Sequence, residues 1–312
     1  TPVEARKRKG HGDVTEWVVD MGKAMTGTVE IVLPAGEKGR VVQMHFRDLK
    51  DNPWSHHGQK SQYTYRGKGR EVFRNRFNYA SFRYIAFFNL PDDADLKPEH
   101  VKGHFITTDL PLASSFESSN KTFNQVYDMM VHTLRCLMLG GYQVDCHSRE
   151  RLGYGGDGHA SLDSTLYLMR SDAFYRKWLR DWVDGQKQDG FLYYTAPSSH
   201  GGGGPFWCGF LISAALKNYQ HYGDPALVKS NYPAIKKFLE LAQRKTKDGL
   251  QEKFVGGWYL GDWASRAPDI GAKDRVNLFV NCYMAYALEQ SAQLAELLGK
   301  KKDAATFRNW AN

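Results

Sequence analysis

Residues 145–157 read Asp-Cys-His-Ser-Arg-Glu-Arg-Leu-Gly-Tyr-Gly-Gly-Asp. The stretch packs three carboxylates (Asp145, Glu150, Asp157), two guanidiniums (Arg149, Arg151) and three glycines (Gly153, Gly155, Gly156) between two segments of helical periodicity. A merely solvated linker favours Ser, Asn and Pro with scattered charge. Acids and bases interleaved at this range shift one another's pKa values, which acid/base chemistry needs and which a structural ion-pair network also produces. The residues alone leave both readings open.

On the N-terminal side of this stretch the pattern has two periods. From Thr15 to about Leu110 apolar and polar residues alternate, as in Val42-Gln43-Met44-His45-Phe46 and at Phe82, Tyr84, Ala86 and Phe88. Such alternation belongs to strands with one buried face. Turn chemistry at Pro34-Ala35-Gly36, Asp51-Asn52-Pro53 and Pro91-Asp92-Asp93 separates the runs. Several short strands at this spacing predict a β-sandwich over residues 1–110. The basic run Arg6-Lys7-Arg8-Lys9 reads as a solvated tail.

After Asp109-Leu110-Pro111 the period becomes helical. Asn120 is a candidate cap, and Phe123, Val126, Tyr127, Met130, Leu134, Leu137 and Met138 recur at helical spacing until Gly140-Gly141. That stripe reads as core. Asn120-Lys121-Thr122 also matches a glycosylation acceptor, but at a helix start the cap role is favoured. Further helices are predicted at Leu162–Met169, at Phe174–Val183, over Phe206–Tyr222 (apolar nearly all round), after the Asp224-Pro225 start, over Val276–Leu298 and from Asp303. No fixed-period solenoid repeat is visible. Helix pairs joined by Gly-rich loops predict a helical domain over residues 111–312, wound as a partial barrel and reading as a fragment of a larger one.

The chain has 312 residues, 42% hydrophobic and 24% charged, enough to bury a sizeable core in about two domains. Its net charge of +8 suits an acidic partner, whether nucleic acid, membrane surface or acidic polysaccharide. No nucleic-acid motif is present and no apolar run reaches membrane-span length. The four cysteines form no Cys-x-x-Cys pair, which speaks against zinc or dithiol chemistry, and His56-His57 lacks a third ligand at metal-site spacing. No apolar leader follows Thr1, so processing or truncation leaves localisation open, with a periplasmic or secreted setting favoured.

Two more segments could share a rim with residues 145–157. One is His200-Gly201-Gly202-Gly203-Gly204-Pro205-Phe206-Trp207, which places Trp207 at a helix mouth. It lacks the Lys-Ser or Lys-Thr of a phosphate-cradling loop. The other is Gly256-Gly257-Trp258-Tyr259-Leu260-Gly261-Asp262-Trp263. Each Trp is equally readable as a core anchor. Carboxylates with aromatic rings form the composition of a glycosidase pocket, where one acid protonates the leaving oxygen, a second carboxylate handles water and rings support the sugar.

Asp-Cys-x-x-Arg-Glu-Arg-Leu-Gly-Tyr-x-Gly-Asp at 145–157 closely resembles the signature of the α-L-rhamnosidases of glycoside hydrolase family 78. Phe82–Ile85, Phe116–Asn124 and Gly261-Asp262-Trp263 resemble further parts of that family, and the likeness covers the chain from about residue 15 onward. The resemblance implies a β-sandwich followed by an (α/α)6 barrel that removes terminal α-L-rhamnose, plain or modified, with inversion. It makes Glu150 the general acid, Asp145, Arg149 and Asp157 ligands of the sugar hydroxyls, and Tyr154, Trp207 and Trp263 its platform. It implies no metal or cofactor in the pocket. The family's general base, a glutamate, is implied to follow Asn312, so the chain alone is expected to be inactive, with the other half of the barrel supplied elsewhere. His147, Ser148 and Tyr154 depart from the family pattern, which points to a modified or differently linked sugar. The partner expected is a rhamnose-containing, acidic oligo- or polysaccharide; the alternative is a non-catalytic glycan-binding protein.

Overall fold

The computed structural model describes residues 1–52, 58–202, 204–251 and 273–312. These divide into two compact units. One holds Thr1–Thr108, His132–Leu139 and Cys146–Arg151; the other holds Asp109–Val131, Gly140–Asp145 and Leu152–Asn312.

The first unit is built on one long strand. β2 (Thr15–Leu33) pairs antiparallel with β1 (Glu4–Lys9) and β6 (Ala80–Phe88) through its first half, and with β7 (Val101–Phe105) and β5 (Glu71–Arg74) through its second. The register breaks between Asp20 and Met25. There Asp20 Oδ1 accepts from Gly22 N at 2.7 Å, and Arg83 closes on both carboxylate oxygens at 3.0 and 3.1 Å. A bulge of this kind bends a strand, which lets β2 serve both layers of a sandwich. β3 (Val41–Arg47) and β4 (Lys60–Thr64) extend the sheet from β6. Val29, Ile31 and Leu33 of β2, Val42, Met44 and Phe46 of β3, and Phe82, Ile85 and Phe87 of β6 form the core between the layers. Burying each such side chain contributes roughly 1.5–3 kcal/mol.

The basic run at the N-terminus is not a tail. It is strand β1, with Arg8 opposite Glu16 in the register. Arg8 Nε donates to Glu16 Oε1 at 2.9 Å, and Arg47 Nη2 donates to Glu16 Oε2 at 2.8 Å. Glu16 and Arg47 are almost wholly buried. The charge run conceals a strand because its neutralising carboxylate lies across the pair rather than beside it in the chain.

The second unit is helical. α1 (Lys121–Leu137) starts as expected, with Asn120 Oδ1 accepting from Thr122 N at 2.9 Å. Its last turns, from His132, pack with the first unit. Thr26 Oγ1 donates to the Cys136 carbonyl at 3.0 Å, and His132 Nε2 lies 2.6 Å from the Ala24 carbonyl. Val131 and Leu134 are buried, but Phe123, Val126 and Met130 are exposed, so the predicted core stripe is core only toward its C-terminal end. Amphipathic spacing shows that a face seeks an apolar partner; it does not supply one.

Three helical hairpins follow: α2 (Gly155–Leu168) with α3 (Asp172–Asp184), α5 (Phe210–Tyr222) with α6 (Pro225–Arg244), and α7 (Lys273–Leu297) with α8 (Lys301–Ala311). The one-turn α4 (Pro205–Cys208) leads into α5. The helix read as continuous from Phe206 to Tyr222 is thus broken at Gly209, where a Cβ would meet the Tyr283 hydroxyl. Residues Phe210–Leu216 of α5 are all buried, as an all-round apolar helix requires. Asp224 caps α6, accepting from Ala226 N at 2.9 Å with Pro225 in the first turn. The architecture is an antiparallel sheet followed by helical hairpins of a partial barrel.

Candidate active site

The 145–157 stretch is a loop and a helix start. Its ends are tied together in the helical unit: Asp145 N donates to the Leu152 carbonyl at 2.9 Å, and Leu152 N donates to Asp145 Oδ1 at 3.0 Å. One oxygen of the Asp145 carboxylate therefore closes the loop.

Between those ends, Cys146–Arg151 is fixed by side chains of the sheet unit. Gln59 Nε2 donates to the Ser148 carbonyl at 2.5 Å, and Gln59 Oε1 accepts from Ser81 N at 2.8 Å. The Ser81 hydroxyl bonds His147 Nδ1. Arg151 Nη1 donates to Asn78 Oδ1 at 3.2 Å, and its guanidinium lies 4.1 Å from the centre of the Tyr79 ring. Cation–π contacts of this kind are worth roughly 0.5–1 kcal/mol at exposed sites. Arg151 also adopts the left-handed conformation, φ 59°. Such a backbone persists in a non-glycine residue where its surroundings impose it, and Asn78 and Tyr79 supply that constraint.

These anchors leave two charged side chains exposed. Side chains of Arg149 and Glu150 are 51% and 43% accessible. Arg149 Nη2 lies 3.6 Å from Glu150 Oε1, and the Cys146 thiol donates to Glu150 Oε2 at 3.2 Å. Glu150 is thus a reachable carboxyl beside the Arg149 guanidinium. Cys146 is in no disulfide, nor are Cys136, Cys208 and Cys282. A thiol and carboxylate side by side match neither the Cys/His sets of zinc nor the all-oxygen sets of calcium and magnesium, and we assign no ion to them.

The remaining residues open α2. Tyr154 bridges to Thr195, and its ring meets His200 edge-on at 6.1 Å. The structure therefore brings the His200 segment against Tyr154. Asp157 lies in the first turn of α2, where the helix dipole favours a carboxylate. The glycines admit close neighbours: a Cβ on Gly155 would stand 1.9 Å from the Trp207 carbonyl oxygen, and one on Gly156 2.5 Å from the Trp207 ring. Trp207 is 7% exposed and packs on these glycines and on Tyr194. Trp263, the whole 256–263 segment, and His56-His57 lie outside the described residues.

Sequence reading missed the loop's anchors, because Gln59, Asn78, Tyr79 and Ser81 stand 66 to 89 positions away from what they hold. It also missed His159. This imidazole stacks on Phe206 at 4.7 Å, with Nε2 2.9 Å from the Phe206 carbonyl and 3.2 Å from the Tyr283 hydroxyl. Burial pushes its pKa down to about 4. A lone His in a helical segment carries no pattern that distinguishes such a tie.

The family model of the bacterial alpha-L-rhamnosidase 6 hairpin glycosidase domain matches residues 111–312, and that of the bacterial alpha-L-rhamnosidase concanavalin-like domain matches residues 11–107. The chain belongs to the bacterial α-L-rhamnosidase family. An α-L-rhamnosidase of Streptomyces avermitilis is 28% identical over 323 residues, covering 98% of this chain and 30% of its own length. One of Formosa agariphila is 27% identical over 282 residues, covering 82% and 29%. The crystal structure of the Streptomyces avermitilis α-L-rhamnosidase complexed with L-rhamnose has a TM-score of 0.84 at 25% identity, covering 100% of this chain and 30% of that one. The α-L-rhamnosidase from Dictyoglumus thermophilum shares the fold, with TM-score 0.83 at 24% identity over 99% and 35%. The chain spans about three-tenths of the length of these α-L-rhamnosidases. Among the described residues no helix is long and apolar enough to cross a membrane.

Proposed function

We propose that this chain supplies the acid half of a site that removes terminal α-L-rhamnose, plain or modified, from a plant or algal glycan with inversion of configuration. The observation that supports it is the display of Glu150: an accessible carboxyl on a loop held by Gln59, Asn78, Tyr79 and Ser81, within a chain of this family. A general acid must reach the glycosidic oxygen and hold one position while it does so.

In this reading Glu150 protonates the leaving-group oxygen. Arg149 and Asp157 hydrogen-bond the sugar hydroxyls, together with the Asp145 oxygen that does not close the loop. Tyr154 offers its ring to the sugar's apolar face, with Trp207 behind it through the α2 glycines and Trp263 as a further platform. No cofactor enters. Inversion requires a second carboxylate as base, ~6.5–9.5 Å from the acid, to activate water on the opposite face of the ring. The family resemblance assigns that base to a glutamate following Asn312, so residues 1–312 alone bind without turnover.

The test uses a protein that includes the helices after Asn312. It is expected to release rhamnose from an aryl α-L-rhamnoside, with β-L-rhamnose as the first anomer seen by proton NMR. First appearance of the α anomer would reject inversion. No rhamnose release from a folded, full-length protein that still binds rhamnose by calorimetry would favour the non-catalytic glycan-binding alternative.

A further inference from the structure

The sheet unit carries a groove of about 900 Å³ that plays no part in the chemistry above. It lies where β5, β2 and β7 run side by side. Arg74 and Lys102 stand opposite Glu30 on either side, and His104 stands opposite Thr28. Side chains two apart on a strand share a face, so the outer face repeats the charges of Arg74, Lys102 and His104 around a single carboxylate. Asn75 N continues the pairing to the Val29 carbonyl at 3.2 Å, and Arg76 lines the groove beyond it.

Arg74 and Arg76 are exposed. Among the described residues, neither these two nor Lys102 has an ion-pair or side-chain hydrogen-bond partner. By contrast Glu30 has His104, 3.5 Å away. The same face exposes Val72 and Ile106, two positions from Arg74 and from His104; Phe105, on the alternate side of β7, lines the end of the groove with its ring stacked on His132 at 6.0 Å. Unpaired guanidinium forks that match a carboxylate, one acid for hydroxyls and an exposed apolar side chain for a ring face make the recognition set of a charged sugar. The net charge of +8 adds attraction at longer range.

We propose that this groove binds a uronate-bearing segment of the glycan, with Arg74 and Arg76 on the carboxylates, Glu30 on hydroxyls and Ile106 against a ring. It would hold an acidic backbone while a terminal sugar is worked on elsewhere in the molecule. The proposal rests on the glycan reading above, yet fails separately from it: release of rhamnose from a small neutral aryl rhamnoside tests the chemistry and does not involve the groove.

The test is calorimetric titration of the protein with galacturonic acid oligomers at low salt, beside the same oligomers with their carboxyls reduced to alcohols. The parent is expected to bind the acidic oligomer, less tightly as salt rises, and not to bind the reduced one. Arg74→Gln with Arg76→Gln should weaken binding about tenfold or more, as loss of charge-assisted hydrogen bonds does. Lys301→Gln with Lys302→Gln, an equal loss of charge on α8, should leave it within about twofold. If the first pair does not fold, Arg76→Gln with Lys102→Gln gives the same readout. The proposal is overturned if the parent does not bind, if the α8 pair weakens binding as much, or if the reduced oligomer binds as well. Equal or tighter binding of a sulfated oligosaccharide, or of a single-stranded oligonucleotide of matched charge, would also overturn it.

Discussion

Two neighbouring parts of one loop are held by different means. Cys146–Arg151 is fixed by polar side chains far away in the sequence, through hydrogen bonds to Gln59, Asn78 and Ser81 and a ring contact to Tyr79. Each such hydrogen bond contributes about 0.5–1.5 kcal/mol net. Gly153–Gly158 is fixed instead by the absence of side chains: a Cβ on Gly153 would come within 2.1 Å of the Ala196 carbonyl oxygen, and one on Gly158 within 2.7 Å of the Phe210 ring. Polar anchoring can hold a backbone while its own side chains face solvent, as Arg149 and Glu150 do. Close packing cannot, but it sets a helix start to within a methyl group.

The contrast can be strained from either side. The sheet unit's polar anchoring has one member that should not tolerate loss. Glu16→Ala leaves Arg47 buried without its carboxylate, and denaturant unfolding should show a loss of about 3–5 kcal/mol; a loss below ~1 kcal/mol would mean the pair is solvated. On the packed side, Gly155→Ala forces a methyl against the Trp207 carbonyl and should cost about 3 kcal/mol. An unchanged unfolding midpoint would dissolve the distinction between the two arms.

His159 adds a pH signature on the packed side. With its folded pKa near 4 and an unfolded value near 6.5, the unfolded chain takes up the proton first as pH falls. Stability from this group is whole above pH 6.5 and is lost as pH falls from 6.5 toward 4, by on the order of 2–3 kcal/mol. His159→Phe should flatten that part of the stability profile; a profile matching the parent's would remove His159 from the account. Smallest is Gln59→Ala, which should cost about 1 kcal/mol and, in a protein extended past Asn312, lower turnover more than it lowers stability, since it frees the Ser148 backbone beside Glu150. A stability loss with turnover intact would show that Gln59 serves the sheet and not the loop.

Much of this was readable in the chain. The change from period two to helical period at Pro111 separated sheet from helices, and Asn120 and Asp224 marked helix starts whose cap bonds are present. These signals are local, and local chemistry is what a sequence displays. Strand β1 escaped because Arg8 is neutralised by Glu16 across a strand pair. The break at Gly209 escaped because the Tyr283 hydroxyl that occupies the missing Cβ's space lies 74 positions on. The density of charge and glycine at 145–157 marked Arg149, Glu150 and Tyr154 as candidates, while the means of holding their backbone was not displayed.

The proposed role makes Glu150 a chemical group rather than a structural one. The deciding measurement is kcat on an aryl α-L-rhamnoside for Glu150→Gln, in a protein that includes the helices after Asn312, with the thermal midpoint recorded beside it. A side chain 43% accessible, as that of Glu150 is, predicts a midpoint little changed and a kcat lower by about 10²–10⁴ fold. A kcat within a few fold of the parent would contradict the assignment of Glu150 as the acid.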